Sequence, residues 1–161
     1  MELHRNPNYG VASLQFAPIV KQLVEQLGSK SVSDYGAGKC NLQRALLDLG
    51  TDLDYRPYDP AFPAYGPAQT ADLVCCIDVL EHIEPDYLGN VLDDLRAITL
   101  TYGFFSIHTG PAQKHLADGR NAHLIQEPSS WWLPKLCRDY EIEALRKTPG
   151  GFFVVVSPRK A

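Results

Sequence analysis

A short glycine-rich stretch is the first part of the chain that can do chemistry. The segment from Ser31 to Leu49 predicts a strand that ends at Asp34, an amphipathic helix that opens near Asn41, and between them a turn of Tyr35, Gly36, Ala37 and Gly38. Two glycines at a strand-to-helix turn let a ligand come against bare backbone. They can also serve only to turn the chain. The turn therefore predicts a cofactor cradle, with an ordinary tight turn as the alternative.

The acid before the glycines distinguishes this loop from two phosphate-binding loops. A dinucleotide fingerprint needs a third glycine where this chain has Asn41, and a P-loop needs serine or threonine where Cys40 follows Lys39. Two anions are unfavourable when they are buried together, so a carboxylate at Asp34 suits a ligand that carries an ammonium group.

Two motifs of the chain resemble one enzyme family. D-Y-G-A-G resembles the D-x-G-x-G loop of class I S-adenosylmethionine-dependent methyltransferases, and Ala71 to Leu95 resembles that family's D-L-V-x-x-x-x-V-L-E-H strand and helix. The resemblance implies that the glycine loop contacts the methionine part of the cofactor and that Asp59 binds both ribose hydroxyls. The implied cofactor-binding residues are Asp34, Tyr35, Gly36, Ala37, Gly38, Asp59, Pro60, Asp78 and Val79.

Acids and histidines near the same motif suggest a metal site. Asp78, Glu81 and His82 can present oxygen and nitrogen ligands together at a strand end, and His123 lies in a later loop. The spacing is similar to the E-x-x-E-H and later histidine of small-RNA 3′-terminal 2′-O-methyltransferases and of ubiquinone-pathway O-methyltransferases, which implies a divalent ion such as Mg, Mn or Zn. The alternative is metal-free: His82, His123 and His108 act as a base or as substrate contacts.

Alternating strand and helix patterns must position these residues. Apolar spacing predicts a helix from Pro18 to Leu27, with Pro18 in its first turn, and another helix that begins near Pro85. A further helix is expected to be capped by Ser130, with Pro134 in its opening turn. The predicted later strands are Leu53 to Tyr58, Leu73 to Ile77, Gly103 to Ile107, Tyr140 to Arg146 and Gly151 to Ser157.

These elements predict a three-layer α/β sheet of the Rossmann-like methyltransferase type, mainly parallel with an antiparallel C-terminal hairpin. Only twelve residues separate Asp59 from Asp72, where the family fits a helix and a third strand. We therefore expect the third strand to be reduced or missing, which would leave the strand with Pro57 at the sheet edge. Phe62 and Tyr65 are then candidate stacking faces for adenine, or a plain aromatic loop.

Composition limits the remaining possibilities. The 161 residues are expected to form one domain, 1–161, with an aperiodic lid at 109–129, and Tyr9 and Phe16 can close over the site. The net charge of −4 argues against a broad nucleic-acid-binding surface. Four cysteines without a C-x-x-C pair fit a reducing compartment, and no apolar run spans a membrane, so we expect a cytoplasmic protein.

Three functions remain open at this point. The first is methyl transfer from S-adenosylmethionine to an oxygen or nitrogen of a small molecule. The second is metal-dependent 2′-O-methylation of RNA, with nucleic acid as the partner. The third is a non-catalytic S-adenosylmethionine-binding module. The acidic net charge and the intact glycine loop favour the first.

Overall fold

A single mixed sheet organises the molecule, which a computed structural model describes for residues 11–160. The strand order is β2-β1-β3-β4-β6-β5. Strands β1 to β4 pair in parallel, whereas β6 lies antiparallel between β4 and β5. The strands are β1 (Ser31–Tyr35), β2 (Asp54–Tyr58), β3 (Ala71–Ile77), β4 (Thr99–His108), β5 (Tyr140–Thr148) and β6 (Gly151–Pro158). The predicted fold class and its antiparallel hairpin are confirmed.

Helices cover both faces of this sheet. They are α1 (Val11–Leu27), α2 (Asn41–Asp48), α3 (Leu88–Ile98) and α4 (Ser129–Cys137). One apolar cluster joins α1 and α2 to one face, and a second joins α3 and α4 to the other. In β3, Leu73 and Cys75 belong to the first cluster while Val74 and Cys76 belong to the second, so a strand buried on both sides reads as an unbroken apolar run.

As expected, the described residues contain no strand that corresponds to the third strand of the methyltransferase family. Between β2 and β3 the chain forms only a short 3-10 turn, Pro63–Tyr65. Strand β2 is consequently the sheet edge, and its Pro57 lies opposite Asp34 of β1. An edge strand tolerates proline because its outer side has no ladder to complete.

Two helix starts differ from the predictions. Helix α1 begins at Val11, so Pro18 lies in its interior. The extra turns bury Phe16 and Ala17 on the sheet, and this packing offsets the backbone hydrogen bond that Pro18 cannot make. Ser130 does not cap α4: the helix starts at Ser129 after Pro128, and Pro134 lies beyond its opening turn.

Two N-terminal residues, Tyr9 and Phe16, are predicted from the sequence to close over the site. Tyr9 lies outside the described residues, while Phe16 is buried in α1. Among residues 11–160, no helix is both long and apolar enough to cross a membrane.

Candidate active site

The glycine loop is tied to the carboxyl end of β2. The amides of Gly36 and Ala37 both donate to the Tyr58 carbonyl oxygen, at 2.8 and 2.9 Å. Gly38 N donates to Asp59 Oδ2 at 2.9 Å. Gly36 has φ of +85°, and a Cβ built on it would lie 2.4 Å from Val79 Cγ2. Glycine is therefore required at position 36 by both backbone conformation and space.

A cavity of about 580 Å³ opens beyond the carboxyl ends of the parallel strands. Its size is within the range of pockets that hold cofactors and drug-sized ligands. The glycine loop forms one wall, the first turn of α1 forms another, and the lid residues Pro111 to Lys114 cover it. The predicted site residues that line it are Gly36, Ala37, Gly38, Asp78, Val79, His82, His108 and His123.

Four predicted cofactor residues do not line this cavity: Asp34, Tyr35, Asp59 and Pro60. Tyr35 is buried, with its ring centroid 4.8 Å from that of Tyr58. Asp59 Oδ1 accepts a hydrogen bond from Ala61 N at 2.9 Å, and Asp59 Oδ2 accepts one from Gly38 N of the glycine loop. Asp59 therefore supports the glycine loop through its hydrogen bond from Gly38 N.

Asp34 is buried at the end of β1, with 2% of its surface exposed. The hydroxyl of Tyr55, on the neighbouring edge strand, donates to Asp34 Oδ2. Burial raises the pKa of Asp34 to about 7, against the hydrogen bond from Tyr55, which lowers it. The acid at the strand end is therefore a buried hydrogen-bond partner of β2.

The aromatic pair expected near adenine covers the glycine loop. The rings of Phe62 and Tyr65 stack with centroids 5.3 Å apart and planes 13° apart. Tyr65 donates its hydroxyl proton to the Gly38 carbonyl at 2.8 Å. Neither ring lines the cavity. An adenine contact by these residues stays a prediction.

Three histidines from distant parts of the chain meet in the cavity. His123 lies between the other two, with its ring centroid 4.7 Å from that of His82 and 4.8 Å from that of His108. His82 Nδ1 lies 2.9 Å from the Ala122 carbonyl oxygen, and His123 Nδ1 lies 2.7 Å from that of Gly110. A carbonyl oxygen only accepts, so in these two rings Nδ1 holds the proton and Nε2 carries the lone pair.

Burial keeps these rings neutral. It lowers the pKa of His82 to about 4, and the adjacent His123 contributes to the same shift. Burial also lowers the pKa of His123, against the Gly110 hydrogen bond. A neutral imidazole can accept a proton or bind a metal ion.

Glu81 is fully buried below the histidines. Its Oε2 accepts a hydrogen bond from His108 N at 2.8 Å, while Oε1 has no hydrogen-bond partner among the described residues. Burial, and secondarily Asp78, hold the pKa of Glu81 well above its usual range. One ligand atom each from Glu81, His82 and His123 lie within 4.8 Å of one another. These three predicted metal ligands are therefore close enough to share one ion.

Asp78, the fourth predicted ligand, is not part of that group. Ser106 Oγ donates to its Oδ1 at 2.8 Å, and Asp78 N donates to the Ser106 carbonyl at 3.0 Å. The residue has φ of +51°, a conformation that is uncommon outside glycine and is often kept at functional sites. Burial raises the pKa of Asp78, whereas the hydrogen bond from Ser106 lowers it.

The lid is held in place by the side chains of Asn121 and Arg120, two residues that the sequence suggested for the pocket but that do not line the cavity. Asn121 Oδ1 accepts from the amides of Ala112 and His123, and its Nδ2 donates to the Ala112 carbonyl, each at 2.9 Å. Arg120 forms ion pairs with Glu84 and Asp118, each at 2.8 Å. Asn121 thus fixes the two ends of the lid and orients the segment that carries His123.

The cavity also contains residues that the sequence analysis missed. Its lining includes Val11 to Ser13 of α1, together with Lys39 and Lys114. No spacing links these positions, because they reach the cavity only through the docking of α1 and of the lid. A helix start placed at Pro18 hid the contribution of α1.

Comparison with known proteins identifies the fold. No protein-family model matches the sequence, and no curated protein does. Among similar solved structures, the mitomycin 7-O-methyltransferase MmcR aligns with a TM-score of 0.64 at 16% identity, over 94% of this chain and 55% of that one. The 1,6-didemethyltoxoflavin-N1-methyltransferase of Burkholderia thailandensis, solved with 1,6-didemethyltoxoflavin and S-adenosylhomocysteine, aligns at 0.59 and 20%, over 97% and 81%.

The methyltransferase domain of bacterial CtHen1 is also similar, with a TM-score of 0.57 and 15% identity over 91% of this chain and 99% of that domain. This chain therefore has the Rossmann-like fold of the class I S-adenosylmethionine-dependent methyltransferases. It spans about half the length of MmcR.

Proposed function

We propose that the chain is an S-adenosylmethionine-dependent methyltransferase that methylates an oxygen or nitrogen of a small molecule. One observation carries this proposal: the glycine cradle, Asp78 and three histidines all line the same cavity of about 580 Å³. Its volume accommodates a cofactor and leaves polar groups beside it. The fold of the similar structures supports the same class of reaction.

The cradle fits the cofactor at the position where a side chain is absent. A Cβ on Gly36 would lie 2.4 Å from Val79 Cγ2, so only glycine lets the loop pack against this second residue of the cavity lining. We assign the methionine part to the loop Gly36 to Gly38. By resemblance, we assign the ribose to Asp59 and Pro60, with Asp34 and Tyr35 supporting the loop. When bound, the cofactor supplies an electrophilic methyl group on a sulfonium.

The chain orients the acceptor and takes its proton. The acceptor oxygen or nitrogen would be held with a lone pair facing that methyl group, which it would take while the carbon–sulfur bonding pair stays on sulfur. His123 lines the cavity as a neutral imidazole and accepts the acceptor's proton on Nε2, with His82 and His108 as flanking contacts. Glu81 positions His108 through its backbone amide. The lid excludes water.

Thermal unfolding with S-adenosylmethionine or S-adenosylhomocysteine tests the cofactor assignment. A ligand at about one hundred times its dissociation constant adds roughly 2.7 kcal/mol, which for this chain length corresponds to a rise of about 5–10 °C in Tm. No rise with either compound would contradict the proposal. A rise with no transfer to any acceptor tested would instead support the non-catalytic binding module.

A lid histidine outside the cavity gives a matched control for His123. We expect His123→Ala to abolish turnover while S-adenosylhomocysteine binds within a few fold of wild type, measured by calorimetry. His115 is exposed on the same lid and does not line the cavity, so His115→Ala should keep wild-type turnover. Unchanged turnover in His123→Ala would remove His123 from the mechanism.

A second candidate, metal-dependent RNA 2′-O-methylation, rests on the Glu81, His82 and His123 group. Within residues 11–160, Glu81 Oε1 has no hydrogen-bond partner and lies beside two imidazoles, a donor set that fits Zn or Mn. These residues would hold the ion, which would lower the pKa of a bound hydroxyl. The chain's net charge of −4 weighs against RNA as the partner.

Calorimetric titration of Zn or Mn into the protein tests the metal. Glu81→Gln should abolish binding, whereas Glu84→Gln, a control at a half-exposed carboxylate paired with Arg120, should leave it intact. Turnover that survives a chelator would exclude a metal role. A strong salt dependence of acceptor binding would favour RNA over a small molecule.

A further inference from the structure

A second, smaller cavity adjoins the first on the far side of His108. It has a volume of about 220 Å³ and lies between the start of α1 and the turn that joins β5 to β6. Asp78 and His108 line both cavities, so the two cavities meet at these residues. We call this second space the hairpin cavity; its other walls include Gln15, Phe16 and the turn residues Thr148 to Phe152.

The hairpin turn is held firmly against the end of β4. The Gly150 carbonyl accepts hydrogen bonds from Thr109 N at 2.9 Å and from Thr109 Oγ1 at 3.3 Å. A Cβ built on Gly150 would lie 2.6 Å from His108 Nε2, so the imidazole packs directly on this glycine. The turn and His108 therefore form one preorganised wall of the cavity.

The lining indicates which ligands fit. Phe16 and Phe152 supply buried aromatic surface, and Gln15 and Thr148 supply neutral polar groups. Within the part of the chain that the structure describes, Asp78 is the only acid and no lysine or arginine lines this cavity. An anion would meet a carboxylate here without a compensating cation, whereas an ammonium group would stabilise the half-buried carboxylate.

The volume limits the ligand further. Pockets for drug-sized ligands occupy about 300–1,000 Å³. A cavity of about 220 Å³ accommodates one ring with short substituents. A polar group on such a ring, pointing between Asp78 and His108, faces the cavity that contains the glycine cradle.

We propose that the hairpin cavity binds the methyl acceptor, and that this acceptor is a compact ring amine whose ammonium group donates a hydrogen bond to Asp78. The ammonium group would give one proton to His123 by way of His108, which lines both cavities. The freed nitrogen lone pair would then take the methyl carbon of bound S-adenosylmethionine, and the carbon–sulfur bonding pair would stay on sulfur. This inference rests on the proposed function, because the chain binds a methyl acceptor only if it is a methyltransferase. It deepens that function by placing the acceptor apart from the cofactor and by choosing nitrogen as the methylated atom.

Three ring-matched probes test the charge preference by titration into ¹⁵N-labelled protein: benzylamine, benzyl alcohol and benzoate. Benzylamine should shift the amides of Phe16, Gly150 and Gly151 and bind about tenfold more tightly than benzyl alcohol, because its hydrogen bond to a carboxylate is charge-assisted. Benzoate should not bind there. Equal affinity of benzoate and benzylamine, or shifts confined to Lys39 and Lys114, would overturn the inference.

Two variants test the lining itself. Asp78→Asn keeps a residue that tolerates positive φ and should abolish the preference for benzylamine over benzyl alcohol. Gln15→Lys adds a cation at an exposed position on the rim and should reverse the preference in favour of benzoate. If both variants bind the probes as wild type does, the ligand is not in this cavity.

A steric pair separates cavity filling from general destabilisation. Gly150→Ala should weaken all binding at this cavity by at least tenfold, because its methyl group displaces His108 into the space. Gly89→Ala adds the same methyl group on exposed α3, where a Cβ would meet nothing within 4 Å, and should change nothing. Calorimetry with S-adenosylhomocysteine on each variant separates a failure of the proposed function from a failure of the acceptor site. If the probes bind and S-adenosylhomocysteine does not, the proposed function is contradicted. If S-adenosylhomocysteine binds and the probes do not, the acceptor site is contradicted.

Discussion

The buried carboxyl of Asp34 should make the protein less stable as pH rises towards 8. In the folded protein its pKa is about 7, against an ordinary value of 3.8, and burial is the main cause. The folded state therefore holds a proton that the unfolded chain has released between about pH 4 and pH 7. Stability from this group is fully present below about pH 4 and is lost as pH rises through 7.

The folded and ordinary pKa values of Asp34 determine how much unfolding free energy is lost. Over the whole range they correspond to about 4 kcal/mol of unfolding free energy. Between pH 5 and pH 8 the loss from Asp34 alone is about 2.5 kcal/mol on the same relation. This is a large fraction of the stability of an ordinary domain, which is about 5–15 kcal/mol.

Urea unfolding of Asp34→Asn at pH 5, 6, 7 and 8 measures this effect. The amide keeps an acceptor for the Tyr55 hydroxyl and carries no charge. Other titrating groups are common to both proteins, so the difference between wild type and variant isolates Asp34. The variant should gain about 2.5 kcal/mol relative to wild type from pH 5 to pH 8.

An exposed aspartate on the adjacent strand is the matched control. Asp54 pairs with Arg56 and its side chain is 58% exposed, so Asp54→Asn should run parallel to wild type across the same range. Parallel curves for Asp34→Asn would refute the reasoning, because they would mean that Asp34 ionises in the folded state much as it does in the unfolded chain.

Three further predictions concern the hairpin, the lid and the core. Gly151→Ala should prevent stable folding, because its Cβ would lie 1.9 Å from the Ile107 carbonyl oxygen, and Gly89→Ala is the control for thermal unfolding. Asn121→Ala should speed hydrogen exchange across the lid, since three hydrogen bonds are lost, while Tm falls little; unchanged exchange would argue against its anchoring role. Trp132→Ala should cost about 3–5 kcal/mol in urea unfolding, because the ring is fully buried, and a loss below 1 kcal/mol would contradict this.

The local sequence was sufficient to predict the glycine loop, the missing strand and the edge strand. The glycine loop was predictable because φ above zero at Gly36 and Gly38 requires glycine. The missing strand was predictable from the short spacing between Asp59 and Asp72, since a strand, a helix and two turns need more residues. Pro57 indicated an edge strand because proline has no backbone N–H to donate to a neighbouring strand.

Helix boundaries were less predictable. Pro18 suggested a helix start, yet α1 begins at Val11 because Phe16 and Ala17 gain more from packing on the sheet than the helix loses at the proline. The same holds for Pro134 in α4, where buried Trp132 and Leu136 fix the helix on the opposite face. Local signals cannot weigh such contacts, because the contacting residues are far apart in the sequence.

The sequence by itself determined which residue types stand at the strand ends: an acid and glycines after β1, Asp78 after β3, and His108 at the end of β4. Only the tertiary structure decided which of them meet. His82, His108 and His123 form a cluster because Asn121 and the Gly110 carbonyl draw the lid over the strand ends. Asp78 lines both cavities, and Ser106 orients its carboxylate. These arrangements depend on hydrogen bonds between groups distant in sequence, which form only after the sheet has brought the strand ends together.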